Sequence, residues 1–303
     1  MVHGTHNALD DARNNDIKIY INGEFHKRAE AKISVFDSGY LVGDGVWEAV
    51  RISKGTLIFI DDHLSRLWNA AKATGIKLSF SKQELIKIIN SVLKENKMTD
   101  GVHVRMMITR GIKKTPSQDP RLTISGPNLV IIPEYKLADP SSKNKGIKLF
   151  TSTIRRGAPD YLDPKLNCHS KLHEVQALIQ AIEAGADEAL MLDVHGFVAT
   201  CNATNFFMIK NKVVYTSTTQ YCMNGITRQK IIDVCKMNNI EVKETNFSLF
   251  DVYGADEAFV TGTFAGVTPV ISIDGKPIGG NSNNEFSATL EKYYKTLIES
   301  QIK

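Results

Sequence analysis

The stretch that most constrains the fold of this chain is "NFFMIKNKVVYTSTTQYCMNGITRQKIIDVCK", residues 205–236. Two β-rich runs, "NFFMIK" and "KVVYTS", are joined by a turn and read as strands. A loop ending at Gly225-Ile226-Thr227 then runs straight into a helix carrying Ile231, Ile232 and Cys235. A helix start of this kind offers free backbone N–H groups and the positive end of the dipole, which together can cradle a phosphate. Thr227 can equally be a plain N-cap of its helix. Both readings stay open on these residues alone.

The neighbouring sequence repeats this style. "IKLFTST", the helix "KLHEVQALIQAIEAG", "EALMLDV" and "FVATC" around an "HG" turn, "EVKETNF" and "EAFVTG" predict a β-rich domain with outer helices. Upstream, "IKIYING" with its Asn22-Gly23 turn, "AKISVFD" and "GTLIFI" read as three strands. Asp61 or Asp62 is expected to cap a helix whose inner face holds Leu64, Leu67, Trp68 and Ala71. Ser81 is expected to cap a second, with Leu85, Ile88, Ile89 and Leu93 inward, before the strands "GVHVRMMITRG" and "NLVIIPEY". Periodicity is lost through "EYKLADPSSKNKG". The predicted organisation is a flexible tail over 1–15, a small α+β domain over 16–135, a linker over 136–146 and a larger domain over 147–303.

A chain of 303 residues is long enough for two such cores. Its 42% hydrophobic and 23% charged residues are those of a soluble globular protein. No apolar run approaches the roughly 18 to 20 residues that cross a bilayer, and the N-terminus lacks a signal-peptide pattern. A net charge of +4 with mixed signs, and no basic block, argues against nucleic acid. Cys168, Cys201, Cys222 and Cys235 have neither CxxC pairing nor framework spacing, so neither zinc nor disulfides are expected and a cytoplasmic location is the default.

Two further segments look chemical. "VTGTFAG", residues 260–266, breaks a strand into small residues that let backbone approach a ligand, with Thr263 as a hydroxyl donor; a plain turn reads the same way. Arg66, in "DDHLSRL", lies near a helix start opposite the apolar stripe, where arginines usually face solvent.

In order, "FDSGYLVGDGVWEAVR", "HLSRL", "GADEALMLDVHGFV", "NFF", "GIT" and "TGT" resemble the class IV, fold-type IV pyridoxal-phosphate enzymes from about residue 17 to 280. That family includes branched-chain and D-amino-acid aminotransferases and aminodeoxychorismate lyase. The resemblance implies a small α+β domain, a larger β-barrel-like domain, a homodimer and pyridoxal 5'-phosphate as cofactor. Arg66, Gly225, the backbone of Ile226 and Thr227, and Thr263 would hold the phosphate. Tyr40, Arg110 and Phe264 would lie on the substrate side. The implied activity is transfer of an amino group between an amino acid, branched-chain-like or related, and a 2-oxo acid. A lyase or racemase on the same scaffold, or a binding protein without chemistry, are the alternatives.

Two positions depart from the family's pattern. The glutamate that meets the cofactor's pyridine nitrogen, five residues before the "NFF" asparagine, is replaced by Thr200. Its neutral hydroxyl is expected to donate to an unprotonated nitrogen and leave a weaker electron sink. The family lysine falls, without gaps, on Asn167 of "DPKLNCHSKLH". Lys171 then occupies the place of a tyrosine that reaches the cofactor, with Ser170 expected to cap the helix and aim it from the first turn. Lys165 shares the face of position 167 and becomes the family lysine if two residues are inserted. Lys171 is the preferred candidate, Lys165 the second, and a site with neither is a third reading. His169 and His173 read as polar lining rather than metal ligands. Lys113 or Lys114 contacts an acidic substrate or faces water.

Overall fold

The computed structural model describes residues 4–279 and 284–302, and the chain divides into two compact units. One unit contains, of the described residues, 10–137, 166–171 and 301–302; the other contains 4–9, 138–165, 172–279 and 284–300.

The first unit is built on a six-stranded sheet. Its elements are β1 (Lys18–Ile21), β2 (Glu24–Lys27), α1 (Ser38–Val42), β3 (Gly45–Ser53), β4 (Thr56–Leu57), α2 (Ile60–Ala73), α3 (Lys82–Glu95), β5 (Val102–Thr109) and β6 (Asn128–Tyr135). The strands lie in the order β2-β1-β6-β5-β3-β4. Period-two alternation puts Val46, Val50 and Ile52 of β3 beside Ile108, Val104 and Val102 of β5. These join Leu64, Leu67 and Ala71 of α2 and Leu85, Ile89 and Val92 of α3 in one core. Glu48 falls on the same side of β3 as Val46 and Val50, which places a carboxylate against α2.

Ser81 caps α3 as expected, in a reciprocal capping box with Glu84. Other local expectations change. Asp61 and Asp62 do not cap α2; Phe59, at φ 53°, occupies that position, and the two aspartates lie in the first turn, where they face the positive end of the dipole. "AKISVFD" is not a strand. Asp37 ends it as the N-cap of α1, accepting from Gly39 N through one oxygen and from Thr109 Oγ1 and Asn128 Nδ2 through the other. The second strand is instead Glu24–Lys27, across the Asn22–Gly23 turn.

The second unit contains α4 (Pro140–Lys145), β7 (Ile147–Thr151), α5 (Leu172–Glu183), β8 (Glu188–Leu192), β9 (Val198–Cys201), β10 (Asn205–Lys210), β11 (Val213–Thr216), α6 (Ile226–Met237), β12 (Val242–Glu244), α7 (Leu249–Tyr253), β13 (Glu257–Gly262), β14 (Gly266–Ile273), β15 (Lys276–Pro277) and α8 (Glu285–Glu299). Its sheet runs β12-β11-β10-β13-β14-β7-β8-β9, with β15 on β14, and curls so that β9 also approaches β10. Phe206, Met208, Ala258, Val260 and Val270 pack with Phe247 and Val252 on one side. On the other, Phe207 and Phe259 stack at 4.8 Å.

Two segments are more ordered than their polarity suggests. α4 forms inside the stretch read as a linker and packs on β14. In the stretch read as a tail, Thr5 donates through both N and Oγ1 to Glu188, and Ala8 bridges to Ala138.

Candidate active site

The start of α6 has the elements of an anion cradle. Gly225 is the N-cap residue, not Thr227, and no side chain caps the helix, so the first-turn amides are left for a ligand. Glycine is required at 225 by space rather than by φ: a Cβ there would lie 2.2 Å from Asn205 Oδ1. Asn205 in turn donates from Nδ2 to Met223 O at 2.9 Å and holds the approach loop. Arg228, wholly buried, ties that loop to the helix by donating to Asn224 Oδ1, Ser217 O and Glu244 Oε2. Thr227 Oγ1 lies 3.5 Å from Tyr294 OH. Thr263 begins the turn between β13 and β14 and is half-buried there. α6 packs on β13, so both segments belong to one face of this unit. Phe264 follows in the same turn.

Thr200 lies on β9, opposite Met191. It is buried, and its hydroxyl donates to Thr204 O at 2.8 Å. Thr204 Oγ1 donates at 2.8 Å to Glu188 Oε2, a buried carboxylate that the sequence reading did not single out.

The segment holding the two candidate lysines is divided between the units. Lys165 is exposed, with its amide on Asp163 Oδ1. Asn167 is buried and runs beside β3: Trp47 N donates to Asn167 O, and Trp47 Nε1 to Cys168 O. Asn167 Oδ1 is buried without a hydrogen-bond partner among the described residues. Ser170 does not cap α5; its hydroxyl donates to Gly43 O, and Lys171 immediately precedes the first helical residue. His169 sits against Gly39 and Gly45, and burial holds its imidazole below the ordinary pKa. Arg156 Nη1 lies 3.0 Å from His173 Nε2, and His173 Nδ1 lies 3.0 Å from Glu174 Oε2. Arg156 and Glu174 form a buried pair at 2.9 Å.

In the first unit, Arg66 grips Glu48 through Nε and Nη2, and His63 Nδ1 lies 2.7 Å from the same carboxylate. Burial alone would raise the Glu48 pKa, but the Arg66 charge and the hydrogen bonds from His63 and Arg66 bring it below the usual value. Arg66 is therefore not the solvated residue its position suggests. Tyr40 is 70% exposed on α1. Arg110 does not reach outward. It clasps Asp44 with Nε and Nη2 and donates to Thr74 O and Gly75 O, an arrangement that uses it as a clamp within its own unit. Lys113 is buried and donates to Asp119 O, which removes it from the candidates for substrate contact.

Comparison with known proteins decides the family. The profile of the amino-transferase class IV family matches residues 45–273. The chain belongs to the class IV aminotransferases. It is 37% identical to branched-chain-amino-acid aminotransferase-like protein 2 of Arabidopsis thaliana over 96% of this chain, though it spans only 52% of that relative's length. Against a putative branched-chain-amino-acid aminotransferase of Methanocaldococcus jannaschii it is 37% identical, covering 93% of this chain and 96% of the other. The fold is that of the T.th. branched-chain amino acid aminotransferase complexed with N-(5'-phosphopyridoxyl)-L-glutamate, at a TM-score of 0.86, 28% identity and coverage of 94% and 95%. The α6 cradle, Asn205 and the Thr263 turn all lie within the stretch that the family profile matches. So do Thr200 and Asn167, which stand where the resemblance implies a glutamate and a lysine.

Proposed function

We propose that this class IV chain is a pyridoxal-phosphate-dependent aminotransferase that moves an amino group between an amino acid of branched-chain or related type and a 2-oxo acid. The observation that carries the reading is the uncapped start of α6, with Gly225 held against Asn205 and the half-buried Thr263 in the β13–β14 turn. These residues fit a phosphate monoester dianion: two helix amides, a helix dipole and a hydroxyl are donors suited to such a group. The relatives' names support the transferase class, and the phosphopyridoxyl-L-glutamate complex of the T.th. enzyme supports the cofactor.

When bound, the cofactor supplies an electron sink for the bond-breaking at the amino acid's α-carbon. The chain's part is to hold and to move protons. The Ile226 and Thr227 amides and the Thr263 hydroxyl hold the phosphate, and Arg66 is a ligand on the strength of the family resemblance alone. A lysine Nζ, that of Lys171 ahead of Lys165, takes a proton from one carbon and returns it to another. Tyr40 stands on the substrate side. The α5 stripe of Leu172, Val175, Ile179 and Ile182, each exposed, supports a homodimer that covers it. Four buried free thiols support a reducing, cytoplasmic setting.

The test is to titrate purified protein with pyridoxal phosphate and follow its visible absorption, then to assay leucine, isoleucine, valine and D-alanine with 2-oxoglutarate. Saturable uptake with transfer from one of these is expected. Uptake without transfer from any of these four to 2-oxoglutarate would refute the transferase reading, and no uptake would refute the cofactor.

A further inference from the structure

Glu188 is the least explained charge in the second unit. It is 3% exposed at the start of β8, and every group that meets it is neutral. Thr5 donates to one oxygen through N and Oγ1, and Thr204 Oγ1 donates to the other at 2.8 Å. Among the described residues no lysine, arginine or histidine pairs with it. A carboxylate buried away from cations is rare, because hydrogen bonds alone offset only part of the lost hydration. Such a site favours a cation placed near it.

The residue that carries this charge toward the front of the site is Thr200. Its hydroxyl has one hydrogen, and that hydrogen goes to Thr204 O. What Thr200 has left to present is therefore its lone pairs. This reverses the expectation from sequence. A donor at this position would suit an unprotonated ring nitrogen, whereas an acceptor suits a protonated one. The charge of Glu188 is felt within one residue of Thr200: burial, first, and then that charge raise the Cys201 thiol well above its ordinary pKa.

We propose that Glu188, acting through Thr204 and Thr200, does the work of the missing glutamate and keeps the cofactor's ring nitrogen protonated. This rests on the pyridoxal-phosphate reading above. Glu188 touches neither substrate nor cofactor, so it is a positioning residue. Thr204 joins it to the carbonyl that fixes the direction of the Thr200 hydroxyl. The split between an acceptor and a charge set one layer behind it distinguishes this site from one with a glutamate directly on the nitrogen.

The experiment loads the full-length protein with cofactor labelled with 15N in the ring and reads the nitrogen's chemical shift, which reports protonation directly and needs no turnover. The parent should show a protonated nitrogen at neutral pH. Glu188→Gln keeps the shape and lets the amide bond Thr204 while removing the charge; it should move the resonance to the unprotonated position. Its affinity for the cofactor should stay within about threefold, since the phosphate cradle is untouched. Thr200→Val should do the same and leaves Glu188 and Thr204 in place, so it reads the step independently if Glu188→Gln does not fold. Adding Thr200→Glu to the Glu188→Gln chain should restore protonation. An unprotonated nitrogen in the parent, or a protonated one in both single variants, would overturn the inference while leaving the cofactor reading intact. Failure of the parent to take up the cofactor would overturn the reading itself, and this inference with it.

Discussion

Replacing Gly225 by alanine tests the cradle at its tightest point. The backbone there, at φ −60° and ψ 141°, suits any residue, so alanine is not opposed by conformational strain. The obstacle is Asn205 Oδ1, 2.2 Å from the new Cβ, more than 1 Å inside ordinary contact at about 3.4 Å. Asn205 has to turn or retreat, and its 2.9 Å bond to Met223 O is lost or bent. Overpacking costs about 1–3 kcal/mol and a lost hydrogen bond about 0.5–1.5 kcal/mol, so a loss of about 2–4 kcal/mol of stability is expected. Chemical denaturation of the protein without cofactor measures it. A double-mutant cycle with Asn205→Ala isolates the cause, because removing the amide removes the collision. The double variant should then be at least about 1 kcal/mol more stable than the sum of the single losses predicts. A loss under about 0.5 kcal/mol for Gly225→Ala, or strict additivity, would refute the account, because either result means that Asn205 does not buttress this turn.

Three other outcomes are expected. Arg66→Ala should weaken cofactor binding by about 1.5–3 kcal/mol, the value of a hydrogen bond to a charged group; an unchanged dissociation constant in a cofactor titration would remove Arg66 from the phosphate site. Glu48 has a folded pKa below its unfolded value, so its contribution is present above about pH 4.3, the unfolded carboxylate value, and is lost as pH falls below that toward the folded pKa; denaturation midpoints of the parent should fall more steeply with acid than those of Glu48→Gln, and parallel curves would count against it. Borohydride fixation of the bound cofactor and mass mapping should place the pyridoxyl group on Lys171, with Lys171→Ala losing it and Lys165→Ala retaining it; recovery on Lys165 would show that the two-residue insertion is the right alignment.

How far the sequence can be read depends on whether the deciding contact is local. The capping box of Ser81 and Glu84 spans three residues and is legible, as are the alternating runs that become β3, β5 and β6. The Gly225-Ile226-Thr227 junction is legible for the same reason, although only the structure shows that the collision with Asn205, 20 residues earlier in "NFF", is what demands glycine. "AKISVFD" has the residues of a strand, but a strand would deprive Asp37 of the donors from Gly39, Thr109 and Asn128 that make its burial tolerable. Arg110 looks available for a carboxylate until Asp44, 66 positions away, is brought to it. Glu188 is the extreme case. Its partners are Thr204 and a residue 183 positions upstream, in a stretch whose polarity signals only mobility.

Three of the buried polar atoms that lack a hydrogen bond among the described residues lie in or beside the segments that look chemical, while Thr123 and Thr268 carry others elsewhere. Thr261, whose Oγ1 has no partner among the described residues, stands directly across the β10–β13 ladder from Asn205, the residue that supports the α6 cradle. Asn167 Oδ1 and His169 Nε2, both orphaned, belong to the short segment between the two candidate lysines. Each such group costs about 1–3 kcal/mol relative to a satisfied one. A protein selected only to stay folded has an easy remedy at every one of these positions, since an apolar residue of similar size removes the cost. Retaining polar atoms there is consistent with a site arranged for a ligand that supplies the missing partners. This weighs against a chain that keeps the fold of an aminotransferase with nothing to bind, because Asn167 and His169 lie in the segment that the resemblance assigns to the lysine and Thr261 pairs with the residue that buttresses Gly225.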